Sequence, residues 1–350
     1  MSASRLRPQQ LDRAFAVVRE GIERGEAGPS VMAVADGREI IRQEAISPPD
    51  GDVQVDLDAI FLTASITKPF IGTAIMQLAE QGRLLISDPV TRYVPEFGRF
   101  GKEAVTIWHL LTHTSGLAEE VWESLWEEEA PASAHLEAAC NAFLHFPPGT
   151  QWEYCNVSFW VLAEIITRVS GKSYVDYLYH HILEPLEMRD TAFDFEGEQA
   201  RRMVPVDIVQ PILKGKEGAA YFRSLALPAG GLYSTAADLV KFGQAILNGL
   251  LGREHTIVSQ AGIATMTRLH TEGIRERNTG RLAFYGLGWD KPGGDARFLG
   301  TPAAFGHGGA TATLLWIEPN HDLVFVFLTN QFGQENRVAC MALNAVLGAL

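Results

Sequence analysis

A serine and a lysine three residues apart, in Ser65-Ile66-Thr67-Lys68 followed by Pro69, are the first residues in this chain whose types and spacing suggest chemistry. On a helix that spacing puts both side chains on one face, so the amine reaches the hydroxyl. A serine hydroxyl is a weak nucleophile at neutral pH, and a nearby amine whose pKa is lowered by burial or by another cation can activate it. Pro69 has no N–H to offer the Ser65 carbonyl, which marks an irregular helix start. A second group is Tyr154 and Asn156, in a turn-rich run from Pro147 that feeds a helix beginning near Val157. Two residues apart in extended backbone, they point the same way. A phenol near two positive charges can shift toward phenolate and relay a proton between serine and leaving group, and an amide beside it can hold a substrate carbonyl; the bland alternatives are a packed tyrosine and a helix-capping asparagine. The third group is Phe305-Gly306-His307-Gly308-Gly309-Ala310, just ahead of an expected strand at 311–317. Its glycines would let a substrate backbone lie along a strand edge, with the N–H groups of Ala310 and Ser65 as oxyanion donors.

Groups so far apart in sequence meet only if the fold brings the two ends and the middle of the chain together. Leu11, Phe15, Val18 and Ile22 recur at helical spacing and Gly25 stops the pattern, which predicts an amphipathic opening helix. A hairpin is predicted over 31–45, its tight turn at Asp36-Gly37 using the positive φ that Asp-Gly supplies. Strands are expected at 281–290, 311–318 and 323–329, and a closing helix from about Gln334. The middle reads as helical at 70–81, 133–145, 157–169, 235–247 and 259–269. The fold class is therefore α+β: an antiparallel sheet flanked by N- and C-terminal helices, with an inserted mostly helical domain. Residues 1–70 plus 270–350 form the expected sheet domain and 71–269 the insert.

In this order the three groups resemble the serine beta-lactamase and penicillin-binding-protein superfamily, in its class C-like branch of esterases, D-amino-acid peptidases and related hydrolases. Residues 61–89, 110–117 (Leu-Leu-Thr-His-Thr-Ser-Gly-Leu) and 229–235 (Ala-Gly-Gly-Leu-Tyr-Ser-Thr) are similar to that branch too, and the resemblance covers roughly 30–350. It implies Ser65 as the acyl-accepting nucleophile, Lys68 and Tyr154 sharing base and acid work, and Asn156 positioning the substrate carbonyl. His307, Gly308, Gly309 and Ala310 take the third-motif and oxyanion positions. Many members carry Lys-Thr-Gly where this chain has His307-Gly308-Gly309, so the ammonium and hydroxyl that help hold a substrate carboxylate are missing. His307, mostly neutral at about pH 7.5, is expected to offer a hydrogen bond but little positive charge. The expected function is a serine hydrolase acting through an acyl-enzyme on a carboxylic ester or small amide. The alternatives are a D-amino-acid peptidase or weak beta-lactamase and, in another class, a non-catalytic ligand- or partner-binding member of the fold.

Composition narrows the partners. With 29 basic against 42 acidic residues, net −13, nucleic acid is excluded as a partner. The longest charge-free apolar runs, 323–333 and 338–350, fall short of the ~20 residues that span a bilayer, and charges interrupt any signal-peptide core, so a soluble cytoplasmic protein is expected. Cys140, Cys155 and Cys340 lack zinc spacing and read as thiols in a reducing compartment. Cys155 is expected to face away from its neighbours, with alkylation there inhibiting by disturbing the loop. His109 and His113, four apart without a third ligand, read as structural. The reading calls for no cofactor and no metal, takes a small-molecule ester, amide or lactam as substrate, and leaves the oligomeric state open. Glu119, Glu120, Glu123, Glu127, Glu128 and Glu129 around Trp122 and Trp126 read as a solvated helix with one packed face, or else as an acidic aromatic rim over the active site.

Overall fold

The computed structural model describes residues 8–120, 125, 128–208, 215–253, 257–293 and 297–350. Its centre is a five-stranded antiparallel sheet in the order Ile40–Ile46, Ser30–Ala35, Leu323–Thr329, Leu314–Glu318, Phe305–Gly308. The ends of the chain interleave there, with Ser30 opposite Thr329 and Ala35 opposite Val324. The α+β architecture with a sheet built from both ends is thus what the chain adopts.

Period-two alternation sorts the strand side chains between two cores. Met32, Val34, Leu314, Trp316, Phe325 and Phe327 face the helices Pro8–Glu23 and Arg337–Leu347 through Phe15, Val18 and Leu343. Val31, Ala33, Leu315, Val324 and Val326 face inward onto the rest of the molecule. The strand Leu323–Thr329 is buried throughout, which is why it reads as a continuous apolar run. Truncating Phe325 to alanine there costs about 3 to 5 kcal/mol.

Beneath the sheet lie two helices that organise the site. In Thr67–Glu80 every residue from Thr67 to Leu78 is buried. Ala236–Leu250 packs directly on the sheet, where Gly243 lets its backbone approach Val324. Phe70 stacks on Phe242 at 3.9 Å between ring centroids, joining the two helices in one core with Trp289.

Three local expectations are corrected. The Asp36-Gly37 turn does not use a positive φ at Gly37; the Asp36 carboxylate closes it by accepting the N–H groups of Arg38 (2.8 Å) and Glu39 (3.0 Å). The stretch 281–290 is not a strand: it forms isolated bridges, and Gly286 and Gly288 (φ +79°) turn the chain so that the Gly286 N–H donates to Trp289. The fifth strand is instead Phe305–Gly308, whose two glycines weakened its sequence signal, while the strand after it starts only at Leu314.

Candidate active site

Ser65 sits on a short 3-10 turn, Ala64–Ile66, leading into the helix Thr67–Glu80. Ala64 has φ +47°, a left-handed conformation that costs a non-glycine residue about 1 to 3 kcal/mol. Threonines hold this turn: Thr67 Oγ1 donates to the Ala64 carbonyl at 2.7 Å and accepts the Leu232 N–H at 3.1 Å. Thr63 Oγ1 donates to the Leu232 carbonyl at 2.7 Å, and Thr313 Oγ1 donates to the Thr63 carbonyl at 3.0 Å. The short antiparallel pair Phe61–Leu62 with Tyr233–Ser234 completes the frame, which gives the 229–235 stretch its part in the site.

Lys68 is wholly buried, and its amine has three neighbours: Ser65 Oγ at 3.1 Å, Asn156 Oδ1 at 2.7 Å and the Ala229 carbonyl at 2.7 Å. The last two can only accept, so they take two protons from Nζ. In the neutral amine the remaining position is a lone pair, and it faces the serine hydroxyl. Burial drives the Lys68 pKa down to about 7, opposed by the negative charges of Glu119 and Asp290. The neutral form is therefore well populated at physiological pH.

Tyr154 and Ser65 line one cavity, both partly exposed. Burial pushes the phenol well above its ordinary pKa of 10, and pairing with Ser65 offsets this only in part. The phenolate envisaged from the sequence is disfavoured, because loss of solvation outweighs the nearby positive charge. Tyr154 is thus a neutral proton donor and acceptor beside the hydroxyl, with Lys68 Nζ 4.7 Å from its ring centroid.

Asn156 occupies the N-cap position of the helix Val157–Ser170, yet its side chain makes no capping bond. Glu119 does that work, accepting the N–H groups of Asn156 (2.7 Å) and Val157 (3.2 Å). Its other oxygen takes the Asn156 side-chain N–H at 2.6 Å, which turns Asn156 Oδ1 toward Lys68. Sequence reasoning missed this role, since Glu119 read as one acid among many. The rest of the cluster falls largely outside the described residues, Trp122, Glu123, Trp126 and Glu127 among them.

His307 lies on the edge strand, almost fully buried. Both ring nitrogens are engaged, Nε2 with Tyr285 Oη at 2.8 Å and Nδ1 with the Gly308 carbonyl at 2.6 Å. It offers the cavity a wall rather than the free hydrogen bond expected from the sequence. Gly308, Gly309 and Ala310 border the same cavity, of ≈ 670 Å³. At Gly309 a Cβ would collide with Thr313 Oγ1 and the Thr63 carbonyl, so glycine is required for the strand end to sit against the Ser65 turn. The structure therefore brings all eight residues singled out from the sequence to one place. Cys155, between Tyr154 and Asn156, is 1% exposed, and burial pushes its thiol pKa well up. That removes the basis for expecting alkylation there to inhibit.

A family model described as Beta-lactamase matches residues 12–349. The chain belongs to the beta-lactamase family. Among relatives, D-alanyl-D-alanine-carboxypeptidase/endopeptidase AmpH of Escherichia coli (strain K12) is 26% identical over 326 residues, covering 87% of this chain and 80% of that protein. Esterase EstB of Burkholderia gladioli is 29% identical over 273 residues, covering 67% and 69%. Among solved structures, a penicillin-binding-protein homologue from Caulobacter crescentus superposes with a TM-score of 0.85 at 21% identity over 99% of both chains, a likeness of fold. The family's serine hydrolases include esterases and peptidases, so membership supports hydrolase chemistry and leaves the substrate to the site. Among the described residues no helix is long and apolar enough to cross a membrane.

Proposed function

We propose that this protein is a class C-like serine hydrolase that forms an acyl-enzyme on Ser65 and acts on a carboxylic ester or small amide. The observation that carries this reading is the Lys68 amine, with two positions tied to obligate acceptors and the third aimed at Ser65 Oγ 3.1 Å away. In the neutral form it takes the serine proton as Oγ attacks the carbonyl carbon. Tyr154, next to the same hydroxyl and too weak an acid to rest as phenolate, relays that proton from Lys68 to the leaving group, which restores the neutral amine for the water step. The N–H groups of Ser65 and Ala310, on one cavity, receive the developing oxyanion. Water then repeats the sequence on the acyl-enzyme.

Ester or neutral amide substrates fit a wall that carries His307 in place of an ammonium. A second reading, a peptidase or weak beta-lactamase, is favoured by the cationic Arg297 and Arg337 among the residues lining the cavity and by the likeness to AmpH. The test is hydrolysis of short-chain p-nitrophenyl esters by the Ser65→Ala variant. Turnover should vanish with the fold intact; residual activity within about tenfold of wild type would dismiss the nucleophile.

A further inference from the structure

Behind Tyr154, three buried side chains form a file of hydrogen bonds whose proton positions are fixed from both ends. At one end the backbone N–H of Cys155, which can only donate, meets His113 Nδ1 at 3.0 Å. That nitrogen is therefore unprotonated, and the neutral ring carries its proton on Nε2. This proton faces Tyr285 Oη at 3.2 Å, which leaves the phenol's own proton for His307 Nε2 at 2.8 Å. At the other end the Gly308 carbonyl, which can only accept, lies 2.6 Å from His307 Nδ1, so the ring's proton is there. One arrangement satisfies every link: His113 protonated on Nε2, Tyr285 donating forward, His307 neutral and protonated on Nδ1.

The backbone is bent to make this file. His113 adopts φ +58°, strained for a side chain of its size, and its turn is held by a Thr112–Thr114 hydroxyl contact of 2.8 Å and by the Thr114 N–H donating to the His109 carbonyl. The ring packs 4.4 Å from Tyr154 and 4.8 Å from Tyr285, centroid to centroid. Strain of this kind persists where the surroundings require a particular side-chain placement.

We propose that Tyr285, oriented by His113, locks His307 in its neutral Nδ1–H form and thereby sets the cavity's preference against anionic substrates. This rests on the reading of His307 as a wall of the substrate cavity. A second proton on His307 Nε2 would put two donors against one phenol oxygen and displace the Tyr285 proton from its buried acceptor. The groups around His307 are Asp290, 3.9 Å from Nδ1, with Lys68, Tyr154, Tyr285 and His113, while Arg297, Glu335 and Arg337 line the same cavity. Asp290 favours the imidazolium, while burial and Lys68 oppose it. With the phenol proton gone, Asp290 would be free to draw a second proton onto the ring. Tyr285 is a positioning residue here, acting on substrate through His307.

The test uses ¹⁵N-histidine-labelled protein, with His307→Asn to identify the His307 resonances and Tyr285→Phe to remove only the hydroxyl. In the wild type, His307 should show a protonated Nδ1 and an unprotonated Nε2 from pH 5.5 to 8, without titrating; in Tyr285→Phe it should titrate within that range. In parallel, kcat/KM for a carboxylate-bearing penicillin is divided by that for a neutral p-nitrophenyl ester, which cancels the ionisation of Lys68. Between pH 7.5 and 5.5 the ratio should rise about tenfold in the variant and less than about threefold in the wild type. A wild-type His307 that titrates, or carries its proton on Nε2, overturns the proposal whatever the turnover and even if the variant does not fold. An unmoved ratio in a folded, titrating variant overturns it too. Failure of the hydrolase reading looks different: neither protein turns over ester, while the resonances still report the lock.

Discussion

Glu119 holds Asn156 by two bonds at once, accepting its backbone N–H at 2.7 Å and its side-chain N–H at 2.6 Å. That grip decides which end of the amide Lys68 meets, and so ties an acidic residue outside the three sequence motifs to the amine that faces Ser65. Burial raises the Glu119 pKa, and the N–H groups it accepts, with Lys68, offset this only in part. In Glu119→Gln one oxygen becomes an NH₂ that opposes an N–H donor, so the Asn156 turn loosens. We expect ester kcat/KM to fall about tenfold or more, with stability lowered by about 1 to 3 kcal/mol. Loss of the negative charge should also move the Lys68 titration to lower pH. Wild-type kinetics with an unshifted pH profile in this variant would contradict the assigned role.

Ester hydrolysis should follow the ionisation of Lys68. The active form is the neutral amine, and burial lowers the lysine pKa to about 7, so kcat/KM for a neutral ester rises with pH through that value and levels off above it. With an ordinary lysine the limb would lie near ~10.4. A profile flat from pH 6 to 9, or one still rising at pH 9.5, would show that the amine is not the base.

Native protein should protect Cys155 from alkylation. The thiol is 1% exposed and its pKa is raised by burial, so little thiolate is presented to reagent. Peptide mapping after iodoacetamide should find Cys155 unmodified. Cys155→Ser should respond to the reagent as the wild type does, since Cys340 lies on the cavity itself. A Cys155 adduct formed in folded enzyme would contradict the burial.

The sheet and its flanking helices were legible because their side chains alternate or recur with the right periods, and the helix starting at Val157 and stopping at Gly171 (φ +76°) was bounded almost to the residue. Ser65, Lys68, Tyr154, Asn156 and the His307 run were legible because residue type and order carry chemistry. What escaped depends on contacts between distant segments. Glu119 and Asn156 are 37 residues apart and Tyr285 and His307 22, with no local pattern to mark them. The state of Tyr154 was misjudged for a similar reason: charge can be read from residue types, whereas the desolvation that outweighs it appears only once the core is assembled. The Phe305–Gly308 strand was hidden by its glycines, of which Gly306 is demanded by the close approach of the Leu315 carbonyl and Trp316.

The central claim is that Ser65 Oγ becomes acylated with Lys68 as the base, and intact-protein mass spectrometry after brief exposure to an activated ester tests it most directly. At pH 8 the wild type should gain the mass of one acyl group, mapping to the peptide that contains Ser65. Ser65→Ala should gain none, and Lys68→Ala should acylate about a hundredfold more slowly or worse. Folded wild-type protein that gains no acyl group from the ester, or from a penicillin tried beside it, or that gains one on a residue other than Ser65, would contradict the account.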